Sequence, residues 1–169
     1  MMNFQITIDI TKCVGCGICE MACSLGNKKE CNPEKSSIRA IRYEDEGIMY
    51  SIPVVCRQCE KPLCQKICPV KAISQDMKTD ALLVDQSKCI GCKSCFSACP
   101  FGGISIDKEK RIAMKCDLCS GEPKCVEFCP TGALLFVRSD KIDIWKKREG
   151  IDRYLEDLKN ISYPIIEER

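Results

Sequence analysis

Lys88-Cys89-Ile90-Gly91-Cys92-Lys93-Ser94-Cys95-Phe96-Ser97-Ala98-Cys99-Pro100 sets four cysteines at C-x2-C-x2-C-x3-C spacing and closes on a proline. Upstream, Cys13, Cys16, Cys19 and Cys23 repeat that spacing, with Ser24 where the proline would stand. Cys56, Cys59, Cys64 and Cys68, closed by Pro69, read C-x2-C-x4-C-x3-C. Cys116, Cys119, Cys125 and Cys129, closed by Pro130, read C-x2-C-x5-C-x3-C. These are one motif with a longer loop before its third cysteine. Of 17 cysteines in 169 residues, only Cys31 falls outside the four groups, and it reads as a reduced bystander thiol.

The rest of the composition narrows the chemistry. The chain has no histidine, which excludes His-based hydrolase, zinc-protease and haem-ligand sites, and it has no glycine-rich phosphate loop. Twenty-six Lys and Arg against 24 Asp and Glu leave a formal charge of +2, so no nucleic-acid footprint is indicated. Met1-Met2-Asn3-Phe4-Gln5 lacks the zones of a secretory signal, so a reducing, cytoplasmic setting is expected and a disulfide scaffold is not. The longest apolar runs, Ile52 to Cys56 and Ala133 to Val137, are strand-sized, far short of the roughly 20 residues a membrane helix needs.

Iron–sulfur cubes account for the spacing. Each iron of a [4Fe-4S] cube takes one thiolate, and three cysteines two residues apart wrap three corners within one tight loop. The fourth cysteine is expected to begin a helical turn leading away and to ligate a neighbouring cube, so motifs come in pairs and four motifs imply four [4Fe-4S] clusters. Proline after that cysteine stops the preceding turn. Zinc knuckles also use C-x2-C, but they pair two such knuckles and often include a histidine. With every ligand position a thiolate, no iron is open to substrate, and the chemistry is outer-sphere transfer of single electrons.

Strand patterns between the motifs bear on how they pair. Val70 to Ile73 and Ala81 to Asp85 form a ribbon joining the second and third motifs, and Gly103 to Ile106 with Arg111 to Met114 form another. Phe4 to Ile10 alternates apolar and polar residues, and Ala133 to Val137 is the strand free to pair with it. That favours a nested arrangement, first motif with fourth and second with third, while pairing in sequence order also fits the spacing. Between Ser24 and Val55, Ser37 to Tyr43 and Ile48 to Ile52 flank the turn Glu44-Asp45-Glu46-Gly47 and read as an inserted hairpin, Gly47 taking a positive φ. Beyond Asp140, Ile151, Tyr154, Leu155, Leu158 and Ile161 recur at helical spacing until Pro164. Trp145 just upstream reads as a packing anchor.

From Ile6 to Val137 the sequence resembles the four-cluster, ferredoxin-like electron-transfer subunits that accompany molybdenum or tungsten pterin oxidoreductases, some hydrogenases, formate dehydrogenase and carbon monoxide dehydrogenase. All four cysteine motifs carry the resemblance, with Cys56-Arg57-Gln58-Cys59-Glu60-Lys61-Pro62 and Cys116-Asp117-Leu118-Cys119. The size and helical tail are similar to the small subunit of tungsten aldehyde oxidoreductases. The resemblance implies an α+β fold of two pseudo-symmetric lobes, each like a bacterial ferredoxin with two clusters. It places one four-cluster domain over 1–140: lobe A about 1–30 plus 112–140, lobe B about 53–111, and an insertion about 26–52. A helical tail follows over 141–169.

Carried over residue by residue, the family's nested arrangement puts Cys13, Cys16 and Cys19 with Cys129 on one cluster, and Cys116, Cys119 and Cys125 with Cys23 on a second. Cys56, Cys59 and Cys64 with Cys99 hold a third, and Cys89, Cys92 and Cys95 with Cys68 a fourth. Ser24 departs from the family's proline and puts the path after Cys23 in question. The implied function is a non-catalytic subunit relaying electrons between a larger catalytic chain and a further redox partner, against the alternative of a free-standing polyferredoxin. Four oxidised clusters at about −2 each turn the formal +2 into about −6. Lys12, Arg57, Lys61, Lys66, Lys71, Lys88, Lys93, Lys115 and Lys124 lie close to cysteines and are expected to ease reduction.

Overall fold

The computed structural model describes residues 4–142 together with 147 and 151. Trp145 and, apart from Ile151, the helix expected up to Pro164 lie outside the described residues.

The chain runs β1 (Phe4–Ile8), α1 (Ile18–Lys28), β2 (Ile38–Asp45), β3 (Ile48–Val55), α2 (Leu63–Lys66) and β4 (Ile73–Gln75). It continues through β5 (Leu82–Val84), α3 (Ser94–Ala98), β6 (Ile104–Ile106), β7 (Ala113–Lys115), α4 (Lys124–Glu127) and β8 (Leu134–Arg138). The strands pair as four antiparallel two-stranded ribbons: β1 with β8, β2 with β3, β4 with β5, and β6 with β7. This small mixed α/β architecture is that of a ferredoxin-like fold.

β1 finds its partner at the far end of the chain, with Ile6 opposite Phe136 and Ile8 opposite Leu134. Ile6 is fully buried and the Phe4 and Phe136 rings stack at 4.9 Å. The ribbon stops short of Ile10 because the nearly buried Asp9 carboxylate turns the chain, accepting the Thr11 N–H at 3.1 Å and the Thr11 hydroxyl at 2.6 Å. β4 likewise begins at Ile73, later than the apolar run from Val70, because Lys71 takes a left-handed φ of 51°.

The helical turns differ from expectation in one respect. In the last three motifs the turn carries the third cysteine, at Cys64 in α2, Cys95 in α3 and Cys125 in α4, and it ends before the fourth. Pro69, Pro100 and Pro130 account for that: a residue preceding proline is pushed out of the helical region. In the first motif Ser24 permits helix, and α1 runs on through Cys23 to Lys28. Ser24 is fully buried; its hydroxyl donates to the Met21 carbonyl at 3.0 Å and accepts the Asn32 N–H at 3.1 Å.

That extension leads into the inserted hairpin β2–β3, closed by the two-residue turn Glu46-Gly47 with φ of 49° and 80°. Both angles positive is the turn whose twist matches paired strands. Glu20 on α1 anchors it, accepting the Ala40 N–H at 2.7 Å and pairing with Arg39 at 2.9 Å.

Two apolar cores result, and thiols belong to both. Ile6, Ile38, Val55, Leu118 and Leu134 pack with Cys19, Cys23, Cys56, Cys116 and Cys125; Ile73, Leu82, Ile104 and Ala113 pack with Cys95. With only 6% aromatic residues, the chain relies on small aliphatic side chains and sulfur around the metal sites.

Candidate metal centres

Each C-x2-C loop is curled by one left-handed residue ahead of its second cysteine: Gly15 at φ 66°, Gln58 at 46°, Gly91 at 68° and Leu118 at 57°. The curl folds N–H groups inward: those of Gln58 and Leu118 donate to the Cys56 and Cys116 Sγ atoms, both at 3.4 Å. Such concave backbone nests favour anions, here sulfur. The glycines have a second role. A Cβ on Gly91 would overlap the Arg111 carbonyl oxygen, and one on Gly15 would overlap the Ser51 hydroxyl.

Twelve of the motif cysteines line three cavities, each of which mixes two motifs. Cys13, Cys16 and Cys19 line one cavity with Cys129. Cys56, Cys59 and Cys64 line a second with Cys99, and Cys89, Cys92 and Cys95 a third with Cys68. Cys23, Cys116 and Cys125 are buried in one core, and burial, then the neighbouring thiols of Cys23, Cys119 and Cys19, push the Cys125 thiol up to about 12. Among the described residues no three Cys, Asp or Glu side chains converge tightly enough to hold a single ion. The thiols instead line shared cavities, a disposition that suits a larger inorganic body. Cys31 is exposed, beside a groove lined by Met21, Leu25 and Phe128.

Burial dominates the thiol chemistry. It raises Cys59, Cys64, Cys95 and Cys119, raises Cys116 well above its usual range, and pushes Cys19 up to about 11. At Cys129 burial also acts upward, but the N–H groups of Leu134, Ala133 and Thr131 with the Thr131 hydroxyl outweigh it and the thiol falls. Cys92, fully exposed, falls through hydrogen bonds from Ser94. A buried thiol that resists ionisation is a poor nucleophile and a good metal ligand, because the metal replaces the proton. Further donors reach other motif sulfurs: the Ala72 N–H to Cys68 at 3.2 Å, and the Ser37 N–H at 3.4 Å and Asn27 Nδ2 at 3.8 Å to Cys23.

The cations flagged by position separate once their partners are seen. Lys12 pairs with Asp9 at 3.1 Å, Lys88 with Asp85 at 3.2 Å and Lys124 with Glu127 at 2.8 Å. Arg57 lies over the Phe101 ring, 5.7 Å from its centre, where both line the Cys56 cavity. Lys115 lines that cavity too, and its Nζ donates to Gln58 Oε1 at 3.1 Å and to the Leu82 carbonyl at 2.9 Å. Gln58 stands between the first two cysteines of the second motif. Its structural role emerges here: Nε2 donates to the Cys116 carbonyl at 2.8 Å while Oε1 accepts the Leu82 N–H at 2.9 Å.

Curled thiol loops, buried cysteines and ferredoxin-like ribbons together define an iron–sulfur protein. Residues 48–139 match the 4Fe-4S dicluster domain family and residues 10–26 match a 4Fe-4S binding domain; the chain belongs to this family. It is 39% identical over 160 residues to YsaA of Escherichia coli strain K12, named as an electron transport protein, covering 88% of this chain and 98% of that one. It is 36% identical over 165 residues to the electron transport protein HydN of the same strain, covering 84% and 92%. Against the polyferredoxin-like subunit of the aliphatic sulfonate oxidoreductase of Pyrococcus furiosus, identity is 43% over 124 residues, 73% of this chain and 70% of that one. The chain is thus an iron–sulfur electron-transfer subunit carrying 4Fe-4S clusters, of the non-catalytic kind that serves oxidoreductases. Among the described residues no helix is long and apolar enough to cross a membrane.

Proposed function

We propose that the chain holds four [4Fe-4S] clusters with nested ligation and relays single electrons between a larger catalytic subunit and a second redox partner. The mixed-motif thiol cavities carry this reading: three collect the sets Cys13/Cys16/Cys19/Cys129, Cys56/Cys59/Cys64/Cys99 and Cys68/Cys89/Cys92/Cys95. The buried Cys23, Cys116 and Cys125, with the half-buried Cys119 near Cys125, make the remaining set. The β1–β8 ribbon supports the same partition, since it ties the first motif to the fourth, as β4–β5 ties the second to the third. Lobe A is then about 1–30 with 112–140, lobe B about 53–111, and the insertion about 26–52.

When bound, such clusters supply one-electron outer-sphere transfer at potentials set by charge, hydrogen bonds and exposure. The protein's part is to hold thiolates, aim N–H groups at sulfur and keep the sets adjacent. Cys56 and Cys116 share one core, which supports placing their two sets side by side in the relay.

A docked subunit is favoured over a free carrier by the β2–β3 hairpin. Ile41, Tyr43, Ile48, Tyr50 and Ile52 are all exposed on it, a concentration of large apolar side chains that marks an interface. The hairpin also touches the first cysteine loop, where Arg42 Nη2 donates to the Gly15 carbonyl at 3.3 Å, so a partner bound there lies beside the Cys13 set. A molybdenum or tungsten pterin enzyme of the aldehyde oxidoreductase type is the best candidate partner, with a hydrogenase, formate dehydrogenase or carbon monoxide dehydrogenase as the alternatives and the cytoplasm as the setting. Anaerobic purification from the native source with metal analysis tests this. Tungsten or molybdenum on a larger co-eluting chain is expected; elution alone, with iron as the only metal, would mean a free polyferredoxin.

A further inference from the structure

Three of the four motifs place a lysine directly before their first cysteine: Lys12, Lys88 and Lys115. In two of them an aspartate three residues earlier neutralises it, Asp9 for Lys12 and Asp85 for Lys88. In the fourth motif that position is Ile112, and among the described residues no carboxylate comes within ion-pair distance of Lys115. Its ammonium turns instead to two neutral acceptors, Gln58 Oε1 and the Leu82 carbonyl, at the wall of the cavity lined by Cys56, Cys59, Cys64 and Cys99. Gln58 is itself pinned by the Cys116 carbonyl and the Leu82 N–H, so the charge is held in place.

We propose that Lys115 is a tuning cation that selectively raises the reduction potential of the cluster held by Cys56, Cys59, Cys64 and Cys99. The inference rests on the ligand sets proposed above. A fixed positive charge beside a cluster favours the more negative, reduced form, and among the described residues no carboxylate forms an ion pair with this one. Lys12 and Lys88, tied to aspartates, present ion pairs to their cysteines, so the repeat is electrostatically asymmetric where its sequence looks regular. At an effective dielectric of about 20, removing a unit charge at side-chain range is worth about a decade in the reduction equilibrium.

The test is an electron paramagnetic resonance redox titration of the purified four-cluster protein, with the Cys56-set signal assigned through Cys99→Ser. Lys115→Gln removes the charge, Gln58→Glu cancels it in place, and Lys115→Arg restores it. The first two are expected to disfavour reduction of that one centre about tenfold, 59 mV for a one-electron couple, with the other three unmoved and Lys115→Arg close to the parent. An unchanged potential, an equal shift at all four centres, or outright loss of the centre in both charge-removing variants would overturn the tuning role. Fewer than four centres in the unsubstituted protein would instead overturn the ligand reading, before any variant is compared.

Discussion

Gln58 Nε2 donates to the Cys116 carbonyl oxygen at 2.8 Å, so one buried amide joins the second cysteine motif to the fourth across 58 positions of chain. The same side chain accepts from Leu82 and Lys115, and Gln58 is only 3% exposed. Removing it leaves buried donors and an acceptor unpaired, each costing about 1–3 kcal/mol. Gln58→Ala should therefore lower the urea midpoint for bleaching of the absorbance near 400 nm by the largest amount of any single polar substitution outside the cysteines. An unchanged midpoint would show that the amide does not hold the two motifs together.

Gly91 and Gly15 should respond differently to alanine. At both, the left-handed backbone costs a side chain about 1–2 kcal/mol. At Gly91 the new Cβ meets the Arg111 backbone carbonyl, which cannot step aside, whereas at Gly15 it meets the Ser51 side chain. Gly91→Ala is expected to lose iron from the third motif, while Gly15→Ala should retain most of its iron and recover further when combined with Ser51→Gly. Iron per chain, measured on the three variants, decides; equal losses at the two glycines would contradict the packing account.

Ser24→Pro would give the first motif the proline its three siblings have, yet it should be harmful. Proline in a helix interior costs about 3 kcal/mol or more, and α1 needs residues beyond Ser24 to reach the hairpin. Ser24→Ala removes the hydroxyl's bonds to the Met21 carbonyl and from the Asn32 N–H, which keeps the Glu30 carbonyl at 3.0 Å, and should cost about 0.5–1.5 kcal/mol per bond lost. Denaturant unfolding with iron counting checks both, and a Ser24→Pro protein as stable as the parent would mean α1 need not continue.

Acid should act through turn aspartates as well as through the thiolates. The Thr11 hydroxyl holds Asp9 below its usual value against burial, the Lys110 N–H does the same for Asp107, the Thr79 hydroxyl lowers Asp76, and Ser87 lowers Asp85 to about 2. Groups depressed on folding stabilise the protein fully above their unfolded value near 3.8 and cease to as pH falls through the folded one. Stability should fall between about pH 4 and pH 2, and the slope should flatten in an Asp9→Asn, Asp107→Asn double variant. The same slope in parent and variant would remove these aspartates from the account.

What could be read from sequence was local. Cysteine spacing, the prolines after Cys68, Cys99 and Cys129, and the short ribbons between motifs all act over a few residues, and the structure has them. The positive φ at Gly47 was legible, but the strand running on to Asp45 and the two-residue turn Glu46-Gly47 it leaves were not, because Glu46 also takes a positive φ that its side chain does not announce. The fate of the chain after Cys23 was not, because an absent proline permits a helix without requiring one; the buried Ser24 hydroxyl and its bond from Asn32 settle it. Thiol sharing between motifs was open because spacing admits two pairings, and it takes the β1–β8 contact across the whole chain to favour one. Gln58 and Lys115 were invisible as a pair, since nothing in C-R-Q-C or in M-K-C announces a contact between them.

The direct test of the central claim is the ratio of iron and acid-labile sulfide to polypeptide in the anaerobically purified chain. About sixteen of each per chain, with absorbance near 400 nm lost on chelation together with folded structure, is the predicted result. About eight irons, or one zinc per motif, would contradict it.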